Sequence, residues 1–418
     1  MELIIHRGAH QIGGNCIEIR YGDAAILVDA GLPLDSRADE PLETNEPKPL
    51  FHDIRHGQKR IDGVLLSHAH LDHYGLAGLL PEEIPIHCGQ ATAELIGITA
   101  RISRKRRTPP SFRTFQSSNL FSIGPFSIKP YPVDHSAFDA HAFLIAAGGK
   151  HLFYTGDFRS HGRKAGTIER LMKNPPKVDV MVIEGTMLGP RSHEAHLTEE
   201  QLEEEIFRVI KETAGIVLVT AASQNIDRLV TIYKAAKRSK RRLIIDFYTA
   251  EILERLGKYA RVPLPSWSGV RVCYPQRIAD WFESIGLTDV LKRQRKYGIN
   301  WRVIREAEDR TVMLVRPKYL TDIQNHLTLT GATWIYSMWA GYLERDNAFN
   351  GLRAYLKEKS VRVEILHSGG HAALPDLIKL VEAVKPRMVI PIHSSHPKML
   401  RMHLANVRLV NDGVLIAI

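Results

Sequence analysis

Apolar residues occur along the first part of the chain in short runs that end in glycine or polar turn residues. Runs of this kind, bounded by turn signals, are typical of buried β-strands. They predict strands at residues 2–6, 16–19, 24–28, 63–66, 84–87, 126–133, 142–146, 151–155 and 178–183, with a helix at 89–101. The first two strands flank the glycine-containing segment 8–15, which predicts a hairpin.

The pattern changes after residue 186. Thr198 is suited to an N-cap, Glu199 and Glu200 follow it, and Lys211 comes a few turns later, so a helix is predicted over 198–211. Strands and helices then alternate, which predicts a small parallel α/β domain inserted into the first domain. The predicted strands are 216–220, 243–246, 311–315 and 333–337, and the predicted helices are 226–236, 250–256, 277–285 and 288–294.

The last part of the chain returns to the rhythm of the first. It contains predicted helices at 352–357 and 374–383 and predicted strands at 361–366 and 388–392, and histidines follow both strands. A length of 418 residues suits two domains. We therefore predict one domain formed by residues 1–186 and 346–418, and a second formed by 187–345.

The charge balance narrows the choice of partners. Lys and Arg number 56 against 46 Asp and Glu, a net charge of +10 that favours polyanions. The basic run at 100–113 is either a solvated face or a guide for phosphates. Three isolated cysteines in apolar contexts predict reduced core thiols and a cytoplasmic protein. No signal peptide and no membrane-spanning run are expected.

The strongest chemical signal is VLLSHAHLDHYGLAG, residues 64–78. It places His68, His70, Asp72 and His73 directly after a predicted strand. Alternate strand residues share a face, so His68 and His70 should point the same way, while Asp72 and His73 fall where a helix begins. Imidazole nitrogens and carboxylate oxygens are ligands that Zn²⁺ and Mn²⁺ accept. Surface histidines without a ligand are the alternative, which the density of the cluster disfavours.

The H-x-H-x-D-H pattern resembles the signature of the metallo-β-lactamase superfamily. That resemblance implies an α/β fold, an αββα sandwich. The sandwich is interrupted after Glu184-x-Thr186 and resumes before Ser-Gly-Gly-His and Pro-Ile-His. An interruption at this place is similar to the β-CASP group, with its inserted α/β domain. The group includes ribonuclease J, the endonuclease of the pre-mRNA cleavage complex and the Artemis-type DNA nucleases.

The resemblance implies a site for two Zn²⁺ ions, with Mn²⁺ as an alternative. The implied ligands are His68, His70 and His135 for one ion, and Asp72, His73 and His393 for the other, with Asp157 bridging them. Asp29 is expected to lie beneath the ligands and to orient them through hydrogen bonds.

The resemblance also implies a reaction. Two cations lower the pKa of a shared water, and His371, kept charged by Glu184, protonates the leaving oxygen. Asp72, Asp157, Glu184 and His371 are thus the predicted catalytic residues.

Two further segments are similar to parts of the group that lie near nucleic acid. Ser223, Asn225 and Arg228 match a Ser-x-Asn-x-x-Arg segment. The backbone of Ser368, Gly369 and Gly370 is suited to a terminal phosphate. A helix cap and a tight turn are the structural alternatives.

These features predict a zinc-dependent ribonuclease that acts on single-stranded RNA from the 5′ end, internally or both. A DNA nuclease, a small-substrate hydrolase and an inactive RNA-processing scaffold are the alternatives. The DNA-cutting branch of the resembled group tends to lack a histidine at the position of His393, so the resemblance implies that this residue favours RNA over DNA. Ser394 and Ser395 replace the Gly-Glu that usually follows the last ligand. The C-terminal domain of ribonuclease J is not expected here, which leaves a homodimer as an open expectation.

Overall fold

The computed structural model describes residues 1–37, 40–102, 111–194, 196–345 and 347–418. It divides into two compact units, Met1–Ala195 with Gly370–Ile418, and His196–Gly369. The chain therefore leaves the first unit once and returns to it. No helix in the described ranges is both long and apolar enough to span a bilayer.

The elements follow one another in three blocks. The first block contains β1 (Glu2–Arg7), β2 (Cys16–Tyr21), β3 (Ala24–Ala30), α1 (Leu50–Arg55), β4 (Gly63–Leu65), α2 (Leu71–Tyr74), β5 (Ile86–Gly89), α3 (Gln90–Ile102), β6 (Phe112–Phe115), β7 (Phe121–Ile123), β8 (Phe126–Pro132), β9 (His141–Ala147), β10 (Lys150–Tyr154), α4 (Ala165–Lys173) and β11 (Val180–Glu184). The second contains α5 (Glu199–Glu212), β12 (Val217–Thr220), α6 (Ile226–Arg238), β13 (Arg242–Ile245), α7 (Phe247–Leu256), β14 (Val270–Cys273), α8 (Gln276–Ser284), α9 (Thr288–Gln294), β15 (Gly298–Ile299), α10 (Trp301–Arg305), β16 (Thr311–Leu314), α11 (Leu320–His326), β17 (Thr333–Tyr336), α12 (Gly341–Arg345), α13 (Asn350–Glu358) and β18 (Arg362–Ile365). The third contains α14 (Leu374–Val384), β19 (Met388–Ile392), α15 (Lys398–Arg401) and β20 (Leu415–Ala417).

The first unit is built on two mixed sheets. One has the strand order β20-β1-β2-β3-β4-β5-β6, and the other has the order β19-β11-β10-β9-β8-β7. Strands β1 and β2 form the predicted antiparallel hairpin. Strand β19, from the third block, pairs in parallel with β11, so the split halves of the unit join within one sheet.

Alternating side chains fill both faces of the second sheet. On β11, Val180 and Val182 belong to the core shared with the first sheet, whereas Met181 and Ile183 pack with α4 and α14 on the other face. Period-two alternation of this kind is what a strand buried on both faces requires. The result is the predicted αββα sandwich, with helices outside and the two sheets face to face.

The second unit is a parallel α/β layer structure. Its seven strands have the order β15-β14-β13-β16-β12-β17-β18, and every recorded pair is parallel. One core cluster includes Leu218, Ile244, Met313 and Trp334 from adjacent strands. This agrees with the parallel inserted domain predicted from the β-α alternation.

The compact units meet at 195/196 and 369/370, and the domain limits predicted from the sequence, 186/187 and 345/346, stay a prediction. The second unit runs from His196 to Gly369 because β18 pairs in parallel with β17, from Thr333↔Arg362 to Tyr336↔Ile365. Residues 361–366 were correctly predicted as a strand. Their apolar pattern, however, does not specify which sheet they join.

Candidate metal centre

The loops at the ends of β3, β4 and β10 converge on the H-x-H-x-D-H segment. β4 ends at Leu65 and α2 begins at Leu71, so His68 and His70 occupy the connecting loop, and Asp72 and His73 form the first turn of α2. His68 and His73 are fully buried. Their ring centroids are 4.0 Å apart, and those of His68 and His70 are 4.8 Å apart.

Two groups of potential ligands lie side by side. His68, His70 and His135 have ligand atoms within 4.8 Å of one another, and so do Asp72, His73 and His393. His135 comes from the segment after β8 and His393 directly follows β19, so tertiary structure brings the three segments together. These are the two triads that the sequence resemblance implied.

Asp157 lies next to members of both triads. Its Oδ2 atom is 3.1 Å from His73 Nε2, 3.8 Å from His68 Nε2 and 3.9 Å from His393 Nε2. Its Oδ1 atom and His68 Nε2 are buried and have no hydrogen-bond partner among the residues that the structure describes. Buried polar atoms without partners are costly, so this geometry suits cations between the side chains.

The protonation states of the three histidines in the first triad also suit a bound cation. Burial lowers the pKa of His68 and of His135 well below the ordinary histidine value, and it lowers the pKa of His70 to about 4. These imidazoles are neutral near pH 7 and keep a nitrogen lone pair. His135 Nδ1 donates to the Gly370 carbonyl at 2.5 Å, which leaves its Nε2 directed at His70 Nδ1, 3.2 Å away. The donor set therefore fits a borderline cation such as Zn²⁺.

Three carboxylates give the surroundings of the second triad a negative charge. Although burial lowers the pKa of His73, the carboxylates Asp157, Asp29 and Asp72 outweigh it and raise that pKa well above the ordinary value. Three acidic groups around one imidazole require compensating positive charge in a buried place. A divalent cation held by Asp72, His73 and His393 would supply such charge.

Asp29 anchors the motif from below. It is the last residue but one of β3, has a positive φ of 59° and is fully buried. Its Oδ1 accepts from the Ser67 amide at 2.8 Å, and its Oδ2 accepts from His73 Nδ1 at 2.7 Å. Tyr154 donates its hydroxyl to the same Oδ2 at 2.5 Å. These contacts support the predicted orienting role, because they fix the His73 ring with Nε2 towards Asp157.

Glu184 and His371 form a pair beside the two triads. His371 Nδ1 is 2.9 Å from Glu184 Oε2 and 3.7 Å from Asp157 Oδ2. Burial opposes a charge on the ring, but Glu184 and Asp157 together raise the pKa of His371 to about 9. The side chain of His371 is 24% exposed, so a group that approaches from solvent can contact its imidazolium. Such a charged ring is suited to donating a proton.

Three contacting residues were not assigned a role from the sequence. Ser67 and Tyr154 hydrogen-bond Asp29. Thr186 donates to Glu184 Oε2 at 2.7 Å, and its oxygen is 2.8 Å from His393 Nδ1. The only sequence signal was the position of Thr186 in the Glu-x-Thr motif, whereas Ser67 and Tyr154 resemble ordinary loop and strand residues.

The second unit gives Asn225 and Arg228 structural roles. Asn225 caps α6 by accepting from the Arg228 amide at 3.1 Å. The Arg228 guanidinium is fully buried and donates to Glu199 Oε1 at 3.0 Å and to the Ser337 carbonyl at 2.9 Å. Direct contact of these two side chains with nucleic acid, as expected from the sequence, is therefore disfavoured. The helix cap and a buried ion pair explain them instead.

The Ser368–Gly370 segment also makes structural contacts. Ser368 Oγ donates to the Leu197 carbonyl at 2.6 Å, and Ser368 is buried. In the first unit, a Cβ on Gly370 would lie 2.6 Å from Ser136 Oγ and 3.2 Å from His135 Cε1. Gly370 is thus needed for the close approach of the backbone to His135. Phosphate binding by the backbone of Ser368, Gly369 and Gly370 stays a prediction.

Ser223 is 96% buried, hydrogen-bonds Thr249 Oγ1 at 2.6 Å and accepts from Arg316.

The basic run at 100–113 falls mainly on residues 103–110, which lie outside the described residues. The role of this basic run as a guide for phosphates stays a prediction.

The fold and the site define a class of protein. An αββα sandwich with H-x-H-x-D-H after one of its strands, and with His135, Asp157 and His393 close to that motif, is similar to the arrangement that the resemblance to the metallo-β-lactamase superfamily implied. A family model described as a beta-lactamase superfamily domain matches residues 25–220. This match supports the resemblance of the chain to the metallo-β-lactamase superfamily.

Comparison with curated proteins adds particular relatives. Ribonuclease J of Mycoplasma genitalium is 23% identical over 415 residues, which are 94% of this chain and 68% of that protein. Ribonuclease J of Mycobacterium tuberculosis H37Rv is 23% identical, with 96% and 69% covered. For ribonuclease J of Helicobacter pylori B128 the identity is 21%, and the chain covers 56% of that protein. The similarity thus extends along both compact units, while the relatives are longer.

One solved structure matches the whole chain. A protein of unknown function from Enterococcus faecalis V583 superposes with a TM-score of 0.79 at 22% identity, and 99% of both chains is covered. At this identity the match establishes the fold. It shows that the sandwich and the inserted α/β unit occur together in another protein.

Proposed function

We propose that this protein is a metal-dependent ribonuclease that hydrolyses phosphodiester bonds of single-stranded RNA. The observation that carries the proposal is the arrangement around Asp157, whose carboxylate contacts both triads and lies 3.7 Å from His371. The ribonuclease J relatives support RNA as the substrate, and the net charge of +10 is consistent with a polyanion.

The proposed ligands are those of the two triads with Asp157 between them. Bound divalent cations, Zn²⁺ or Mn²⁺, would supply the Lewis acidity that activates water and neutralises phosphate oxygens. Asp29, through His73, holds one ligand ring in a single orientation. Asp72 and Asp157 contribute the buried negative charge that retains the cations.

His371 is the proposed general acid. Its Nδ1 is bonded to Glu184, so Nε2 is the atom from which a proton can pass to the leaving oxygen. Glu184 in turn accepts from the Phe158 amide at 2.6 Å and from Thr186, which fixes the carboxylate in place. The pair is thus preorganised by backbone and side-chain contacts of the first unit.

The first test compares metal binding with cleavage. Purified protein is incubated with end-labelled single-stranded RNA and DNA of one sequence, carrying a 5′-monophosphate, a 5′-hydroxyl or a 5′-triphosphate. We expect cleavage of RNA that is lost in Asp157→Ala together with bound metal, measured by elemental analysis. His141→Gln is the matched control, because His141 is also buried but bonds Ser117 and Asp139 instead of the triads.

The pattern of products decides the finer questions. Mononucleotides released only from 5′-monophosphate RNA would indicate a 5′ exonuclease, and internal cuts regardless of the end would indicate an endonuclease. Cleavage of DNA in preference to RNA would favour the DNA nuclease alternative. Metal-loaded protein that cuts neither polymer would contradict the proposal and favour a scaffold or a small-substrate hydrolase. A cytoplasmic location and a homodimer belong to the same proposal, and fractionation and light scattering test them.

A further inference from the structure

The sheet of the second unit contains a topological switch point. From β12 the chain continues through α6 to β13, on one side, whereas from β16 it continues through α11 to β17, on the other. β12 and β16 are neighbours, so the two connections leave the carboxyl ends of these strands in opposite directions. Open α/β sheets bind ligands at such switch points.

An ordered arginine occupies this place. Arg316 follows β16 and donates to Asp246, which follows β13, and to Ser223, which follows β12. Asp246 also accepts from the Thr249 amide at 2.6 Å, and Thr249 Oγ1 is 2.6 Å from Ser223 Oγ. The segments after three neighbouring strands therefore fix the position of one guanidinium.

The guanidinium remains charged and accessible. Burial lowers the pKa of Arg316, but the Asp246 carboxylate outweighs burial and raises that pKa above its ordinary value. The side chain is 33% exposed, while that of Asp246 is 4% exposed. A guanidinium carries a planar fork of N–H donors that matches phosphate oxygens, and Asp246 and Ser223 occupy only part of it among the described residues.

Aromatic side chains lie along the same edge. The Arg316 guanidinium carbon is 5.7 Å from the ring centre of Tyr248, which follows β13. Trp339 and Tyr342 follow β17, are 37% and 47% exposed, and have ring centres 5.2 Å apart. Because β13, β16, β12 and β17 are consecutive neighbours, the row spans about 15 Å at the usual strand spacing.

We propose that this carboxyl edge holds single-stranded RNA, with Arg316 binding a phosphodiester and Trp339 and Tyr342 stacking on bases. A positive charge and exposed aromatic rings along one edge are the combination that binds single strands without reading sequence. This assignment rests on the function proposed above and names where the second unit contacts the substrate. A free nucleotide shares the same chemistry, so the experiment must separate the two.

The test measures binding and cleavage separately. Affinity for a labelled single-stranded RNA is measured by fluorescence anisotropy in an Asp157→Ala background, and kcat and KM are measured with the metal-loaded enzyme. The variants are Arg316→Gln, Trp339→Ala and Tyr342→Ala. Arg238→Gln and Tyr259→Ala are matched controls, because Arg238 ends α6 and Tyr259 follows α7, towards the opposite edge of the sheet. Tyr259 is 36% exposed, close to the value for Trp339.

We expect each edge variant to weaken RNA binding about tenfold and to raise KM more than it lowers kcat, while both controls match the wild type. Arg316→Gln should also reduce the slope of RNA affinity against salt concentration, by the amount expected for the loss of about one phosphate contact. Trp339 and Tyr342 are exposed, so their variants test the edge even where Arg316→Gln lowers the melting temperature.

The outcomes separate this inference from the function. Wild-type protein that neither binds nor cleaves RNA contradicts the proposed function itself. Wild-type protein that binds and cleaves RNA, with edge variants equal to the controls, overturns the inference alone. Adenosine monophosphate that binds as tightly as the oligonucleotide and is affected by the same variants would assign the edge to a free nucleotide and also overturn it.

Discussion

Thr186 shows how one hydroxyl can couple two functional residues. It has a single proton, and because it donates to Glu184 Oε2, its oxygen accepts from His393 Nδ1. That contact fixes the His393 tautomer with the lone pair on Nε2, which is 3.2 Å from Asp72 Oδ2. Partners of this kind tune the affinity of histidine ligands.

We expect Thr186→Val to weaken metal binding about 10- to 100-fold, because the isosteric side chain cannot accept from His393. Competition with a chromophoric chelator measures the affinity directly, independent of activity. Thr186→Ser keeps the hydroxyl and should restore most of the affinity. A valine variant that binds metal like the wild type would show that Thr186 does not orient His393.

Glu18 is a buried carboxylate far from the triads in sequence. Its side chain is 0% exposed and contacts His6 at 2.8 Å, Lys59 at 2.7 Å and Arg20. Burial raises the pKa of Glu18, but the hydrogen bonds from these three partners outweigh it and lower the pKa to about 2. A carboxyl group whose pKa is lowered by folding stabilises the folded state at pH values above its pKa in the unfolded chain. That stability is lost as the pH falls towards 2.

Glu18→Gln should therefore lower the free energy of unfolding at neutral pH by about 1–2 kcal/mol, a value reduced for the partial exposure of the partners. The difference from the wild type should shrink between about pH 4.5 and pH 2, where Glu18 itself becomes protonated. Urea denaturation at several pH values measures this, with the exposed Glu83→Gln as control. A difference that is constant with pH would contradict the ionic contribution.

At the scale of elements, the start of α6 explains residues that looked functional in the sequence. Asn225 satisfies the Arg228 amide at the helix N-terminus. Arg228 then reaches Glu199, the first residue of α5, so the two helices are joined by a buried ion pair. Breaking such a pair leaves an uncompensated buried charge, so both positions are constrained by folding.

Asn225→Ala is expected to lower stability by about 1 kcal/mol, because the helix loses its side-chain cap. RNA affinity should remain that of the wild type, since the amide faces the helix backbone. Thermal denaturation and anisotropy measure the two quantities on the same sample, and Asn225→Asp should retain the cap. Loss of RNA affinity at unchanged stability would restore the nucleic-acid role expected from the sequence.

At the scale of the whole molecule, each unit has its own hydrophobic core. The first unit contains all the proposed metal ligands, and the second is built around a separate cluster that includes Leu218 and Trp334. A ligand that binds only the folded form stabilises the part that binds it. Removal of metal should therefore act mainly on the first unit.

Chelation is expected to lower the melting temperature and to increase hydrogen exchange in the segment 66–73, while amides of β12 and β17 keep their protection. Adding Zn²⁺ back should restore both measurements. Hydrogen exchange followed by mass spectrometry resolves the two units in the intact chain. Equal loss of protection in both units would show that the metal does not act locally.

The sequence was most informative where the period of the pattern and local chemistry agree. Short apolar runs predicted β1, β8 and β11, and the β-α alternation predicted the parallel inserted unit. The short strands β7 and β15 were missed, because two or three residues carry too little pattern. The apolar pattern also did not indicate which sheet β18 joins, since that depends on its pairing with β17.

By itself the sequence determined the fold class and the local H-x-H-x-D-H cluster, because both depend on residues close in the chain. Only tertiary structure decided which distant residues join it. His135, Asp157 and His393 meet that cluster because strands β8, β10 and β19 end at one edge of the sandwich, and His371 joins them from the segment before α14. The buried roles of Arg228 and Thr186 were decided in the same way. Charge and hydrogen-bonding capacity can be read from a residue type, but burial and partners arise only when the chain is packed.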